Sequence, residues 1–124
     1  MPLGITVRTL RKSRGLSLAE VEQITHVNKS ALSRFERGLE GLGSKNFHKL
    51  CATFGTTPSV LYAVARMASK KPLLVEDGRK LNNLVYGLTR LIDSYLSSSE
   101  EMREQIDEIL SEDQVKHYDA VVHQ

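Results

Sequence analysis

Apolar residues recur at three- and four-residue spacing along nearly the whole chain, and no stretch alternates apolar and polar residues long enough to make a strand. A chain patterned in this way buries its apolar surface by packing helix on helix, so an all-α fold is expected. Leu3, Val7 and Leu10 open the pattern at i, i+4 and i+7, and Gly15 follows as a helix-ending residue. Ser17 and Glu20 have capping-box spacing, which starts a second helix near Leu18 with Leu18, Val21 and Ile24 facing inward. Val27 falls in a short turn, and Asn28 is a favoured N-cap. The third helix then runs from about Lys29 to Glu36, buries Leu32 and Phe35, and ends at Gly38.

Beyond a loop over residues 39–43, Ser44 is expected to cap a fourth helix carrying Phe47, Leu50, Cys51 and Phe54 on one face, closed by Gly55. Thr57 followed by Pro58 places an N-cap before a proline at the first helical position, so a fifth helix buries Val60, Leu61 and Val64. Lys70, Lys71 and Pro72 break the pattern, dividing the chain into a domain of residues 1–70 and a region of residues 73–124. In the latter, Leu81, Leu84, Val85, Leu88, Leu91, Ile92, Tyr95 and Leu96 share one broad apolar helical face. Ser98 and Glu101 have capping-box spacing ahead of a further stripe of Met102, Ile106, Ile109 and Leu110. Ser111 and Gln114 suggest a last helix bearing Val115, Tyr118 and Val122.

Charge divides at the same place. Residues 1–72 carry 12 Lys and Arg against four Glu, a net +8, whereas residues 73–124 carry five against 11 acids, a net −6. The first part suits a polyanion, and the second is repelled by one. No apolar run is long enough to span a membrane and no signal peptide is read, so a cytoplasmic location is expected, without membrane association. The single Cys51 has no cysteine partner for a disulfide or a zinc site and reads as a buried apolar residue. The four histidines, 26, 48, 117 and 123, are scattered, and no glycine-rich phosphate loop or paired-carboxylate signature is present. Neither catalysis nor a metal or cofactor is therefore expected.

Two short helices joined by a tight turn, the second bearing polar and basic residues, are what the DNA major groove admits. With Leu32 and Phe35 inward, Lys29, Ser30, Ser33 and Arg34 share the opposite face of the third helix and are the candidate base-reading residues. At this point the sequence resembles the Cro and lambda-repressor-like (Xre) helix-turn-helix family. The resemblance covers about residues 3–62 and rests on Leu10-Arg11, Gly15-Leu16-Ser17, Glu20-Val21, Val27, Ser30, Leu32-Ser33-Arg34, Glu36-Arg37-Gly38, Leu50 and Gly55.

That resemblance implies five helices with the third as recognition helix, and a dimeric bacterial or phage regulator of transcription on double-stranded DNA. It implies an ion pair between Arg11 and Glu36 and a phosphate contact at Arg37; Ser17, Asn28 and Lys45 complete the expected contacts to the DNA backbone. Three positions depart from the family pattern. Leu18 replaces a frequent phosphate-binding Gln, Glu22 stands at a small-residue position where it would repel phosphate or crowd the third helix, and His26 takes the place of the turn glycine. The C-terminal stripe has two readings, folding back onto the fifth helix or forming a dimer interface; the second is preferred, with Leu81, Leu84, Leu88, Leu91, Ile92 and Tyr95 at its centre. The function expected is a repressor acting as a homodimer on a short, nearly palindromic operator. The alternative is a protein-interaction module, such as an antitoxin or phage anti-regulator with weak or lost DNA binding, whose acidic C-terminal helices hold a protein partner.

Overall fold

A computed structural model describes residues 2–109 and 111. The helices are α1 (Pro2–Ser13), α2 (Leu18–Thr25), α3 (Lys29–Glu36), α4 (Ser44–Thr53), α5 (Pro58–Lys70), α6 (Leu73–Glu76) and α7 (Gly78–Ser97), and residues 100–109 are also helical. The fold is all-α, with no strand among the described residues. Leu110 and the expected last helix with Gln114, Val115, Tyr118 and Val122 lie outside the described residues, as do His117 and His123.

The helix starts are set by local hydrogen bonds. Ser17 and Glu20 form the complete capping box at α2, Asn28 caps α3, and Thr57 accepts from the Val60 amide ahead of Pro58 in α5. At α4 the expected cap shifts by one residue. Ser44 is itself helical, and the N-cap is Gly43 with φ 78°, which supplies no side-chain bond. Within α2, Val21 is buried but Ile24 is 55% exposed, contrary to the apolar pattern. Thr25 takes the inward place instead, because its hydroxyl donates to the Val21 carbonyl and accepts from the Val27 amide, leaving no polar atom unmet in the core.

The chain divides into two compact units, Met1–Thr89 and Arg90–Gln124, with the division inside α7. In the first unit, Val7 and Leu10 of α1, Leu32 and Phe35 of α3, Phe47 and Leu50 of α4 with Phe54 at its C-cap, and Leu61 and Val64 of α5 meet in one core. Leu81 and Val85 of α7 belong to the same core and are 0% and 1% exposed. The chain beyond Pro72 therefore stays on the same core. The four-residue α6 follows, and the Asp77 carboxylate then accepts the Arg79 and Lys80 amides to start α7. Polar clasps hold this extension to the bundle: Thr9 donates to the Val75 carbonyl, Arg14 to the Asn82 side chain at 2.6 Å, and the Thr56 and Thr89 hydroxyls pair at 2.9 Å.

The second unit contains the end of α7 and residues 100–109. Its helical restart uses Ser99, not Ser98: the Ser99 hydroxyl accepts the Met102 amide, while Ser98 donates to the Tyr95 carbonyl. Tyr95 donates to Asp107, and that bond, with desolvation and the Asp107 charge, raises the phenol above its usual range against an opposing effect of Arg103. Leu91, Ile92, Met102 and Ile106 line an open apolar cleft of about 600 Å³ in this unit.

Cys51 is 0% exposed, and burial pushes its thiol up to about 11, partly offset by a backbone hydrogen bond. The native protein is accordingly expected to resist thiol-specific disulfide reagents at pH 8 and to react only at the rate of global unfolding. Rapid, complete modification of the folded protein would contradict this burial.

Candidate nucleic-acid interface

The position of α3 is set by a buried ion pair. Arg11 Nε donates to Glu36 Oε2 at 2.7 Å and Nη2 to Oε1 at 2.9 Å, a two-pronged contact from α1 to the last residue of α3. The remaining prong, Nη1, donates to the Leu16 carbonyl at 2.8 Å, which ties the turn before α2 to the same guanidinium. Both residues are below 9% exposed, so both charges have exchanged water for each other. Gly4 strengthens the junction. A Cβ there would lie 2.5 Å from the Phe35 carbonyl oxygen and 2.7 Å from that of Glu36, so only glycine lets α1 pass this close to the end of α3.

The junction of α2 and α3 is equally defined. His26 closes α2 in the left-handed conformation at φ 61°, the only non-glycine with positive φ among the described residues, and its amide donates to the Glu22 carbonyl at 2.8 Å. An L-residue in this region carries a penalty of roughly 1 kcal/mol relative to glycine. Glu22 does not crowd α3. Its Oε2 accepts the Lys29 amide at 2.7 Å, while Asn28 Oδ1 accepts the Ser30 amide at 2.8 Å, so two side chains take the first two amides of α3.

Lys29 and Ser30 are exposed on α3, and Ser33 and Arg34 are half-buried one turn further on, opposite buried Leu32 and Phe35. Arg34 is not free: its Nε lies 3.0 Å from Glu40 Oε2 in the loop after α3. Arg37 is the C-cap of α3 and exposed, with Nε donating to the Ser33 carbonyl at 3.4 Å. The other expected backbone contacts sit on separate elements, Ser17 before α2, Asn28 before α3 and Lys45 in the first turn of α4. Ser17 and Asn28 use their oxygens as helix caps, which leaves the hydroxyl and amide hydrogens, the donors that a phosphate requires. Leu18 packs against the core instead of presenting a polar group.

The roles of Gly4, Glu22 and Glu40 rest on contacts that the helical pattern does not signal. Glu22 was legible as a capping group only with knowledge of the turn at His26. Glu40 could have been reached from Gly38, since a glycine after a helix signals a chain reversal over its last turn.

The geometry defines a helix-turn-helix within a five-helix bundle, α1 to α5, with α3 as the helix available to a groove. A family model described as a helix-turn-helix domain matches residues 2–63, half of the chain, and the protein belongs to this family, the Cro-like kind that its α3 run resembles. Comparison with curated proteins and with solved structures finds no match. Among the described residues no helix is long and apolar enough to cross a membrane, and no group of three or more His, Cys, Asp or Glu residues could hold a metal ion.

Removing one member of the buried pair leaves the other charge uncompensated. Arg11→Ala or Glu36→Ala is expected to lower unfolding free energy by about 3–5 kcal/mol, measured by urea titration. A loss below roughly 1 kcal/mol, the value of an exposed pair, would contradict its locking role.

Proposed function

We propose that the protein is a sequence-specific DNA-binding transcription regulator, a repressor that occludes a promoter as a homodimer on a short, nearly palindromic operator. The observation that carries this reading is α3 itself, an eight-residue helix capped at both ends, locked to α1, and bearing Lys29, Ser30, Ser33 and Arg34 away from the core. A B-DNA major groove about 12 Å wide accepts one such helix. Lys29, Ser30, Ser33 and Arg34 read base edges in this proposal, and Ser17, Asn28, Arg37 and Lys45 hold the phosphate backbone. The net +8 of residues 1–72 supplies the attraction to DNA. Action in the cytoplasm, where a regulator of this type meets DNA, is part of the same proposal.

Dimerisation rests on the second unit. Leu81 is buried in the core of the first unit, and Leu84 and Leu88 pack against that core, so these three leave the interface. Leu91 at 65% and Ile92 at 41% exposure remain, with Tyr95 at the cleft they line. Burying such a face against a second copy would remove apolar surface from water and join two chains, each carrying one α3, as a twofold operator requires. The same exposed face, on an acidic unit, also supports the second reading, in which a protein partner occupies it.

Base readers and backbone holders respond differently to truncation. On a duplex enriched from a random pool by the wild type, Arg34→Ala is expected to lose about 1–3 kcal/mol and relax preference at one position, with little change on random DNA. Arg37→Ala is expected to weaken both duplexes alike and to reduce the salt slope by about one unit. Equal losses on both duplexes for both variants, measured by fluorescence anisotropy, would contradict the assignment.

A further inference from the structure

We propose that Glu40 is a positioning residue for Arg34, fixing the guanidinium so that it reads a guanine and thereby setting base preference at that point of the operator. This rests on the base-reading role of Arg34 proposed above. The path of the chain explains the contact. At the end of α3 the Gly38 amide donates to the Phe35 carbonyl at 3.0 Å and the Leu39 amide to the Arg34 carbonyl at 2.9 Å. With Gly38 at φ 75°, these two bonds make a Schellman closure that turns the chain back over the last helical turn. Glu40 is the next residue and its carboxylate returns to the Arg34 side chain, six positions earlier, with Nε and Oε2 3.0 Å apart.

The contact engages one edge of the guanidinium and leaves the rest. Arg34 Nε is shielded from solvent and has no aligned hydrogen-bond partner, so the carboxylate holds it as an ion pair. The Arg34 side chain as a whole is nevertheless 40% accessible. A guanidinium presents its N–H groups in a rigid planar fork, and guanine offers O6 and N7 as a matching pair of acceptors in the major groove. An unrestrained arginine loses rotamer freedom when it docks this fork; an arginine already held on one edge loses less. Glu40 is 54% accessible in its side chain, and a pair this exposed adds little to folding. A carboxylate beside the DNA also opposes the phosphates, so a Glu40 with no part in reading would weaken binding to every sequence alike.

The test uses the full chain, its Glu40→Gln and Arg34→Ala variants, and three probes. These are a duplex enriched by the wild type from a random pool, the same duplex with 7-deazaguanine replacing each guanine in turn, and a random-sequence duplex. Loss of N7 at one guanine is expected to weaken wild-type binding on the order of tenfold, and to change binding by either variant within about twofold. Glu40→Gln should match the wild type in thermal melting and bind the random duplex as tightly or more tightly. Full retention of the N7 dependence by Glu40→Gln, or an equal gain on enriched and random duplexes, would overturn the proposal while leaving DNA reading by Arg34 intact. A wild type insensitive to every deazaguanine, or an Arg34→Ala variant that keeps the sensitivity, would overturn both.

Discussion

The buried pair of Arg11 and Glu36 carries the geometry on which the interface depends. One guanidinium is shared among Glu36 at the end of α3, the Leu16 carbonyl before α2 and its own helix α1, so the orientation of α3 is fixed relative to two other elements at once. Hydrophobic contacts around Leu10 and Phe35 supply cohesion, but they are not directional. The two-pronged ion pair is directional, and with the close passage of α1 over the α3 carbonyls at Gly4 it leaves α3 one seating on the bundle.

The same helix is constrained at its two ends by polar groups that bear on its surface chemistry. At the N-terminus, Glu22 and Asn28 take the Lys29 and Ser30 amides, so the first turn is ordered without DNA. A carboxylate at that end also tempers the positive field that Lys29 presents. At the C-terminus the closure at Gly38 brings Glu40 against Arg34. Acidic side chains thus sit beside two of the four proposed base-reading residues. Specificity in such a surface comes from where its donors point, while the wider positive charge of residues 1–72 supplies attraction without sequence preference.

Much of this was legible in the sequence because helix ends carry local signals. Ser17 with Glu20, Asn28, and Thr57 with Pro58 each mark a helix start by chemistry within three residues, and each start stands where those residues place it. What the sequence did not reveal depended on contacts between distant segments. The stripe from Leu81 to Leu96 is one apolar face by periodicity, but periodicity does not say what covers it. Its first turns, at Leu81 and Val85, are covered by the protein's own core, and Leu91, Ile92 and Leu96 stay exposed. Ile24 was misplaced for a related reason: a threonine that meets its own hydrogen bonds can displace an apolar neighbour from the core. Gly4 carries no local signal of its role, since only the approach of α3 gives its missing Cβ a meaning.

In the proposed function, α3 presents base-reading side chains to DNA from a twofold assembly. The decisive measurement is enrichment of bound duplexes from a random pool by the full chain, at a salt concentration that suppresses non-specific binding. The expected result is a short motif in two inverted copies with centres about 34 Å apart, one turn of B-DNA, or a multiple of that distance. Recovery of a pool indistinguishable from the input would contradict the claim.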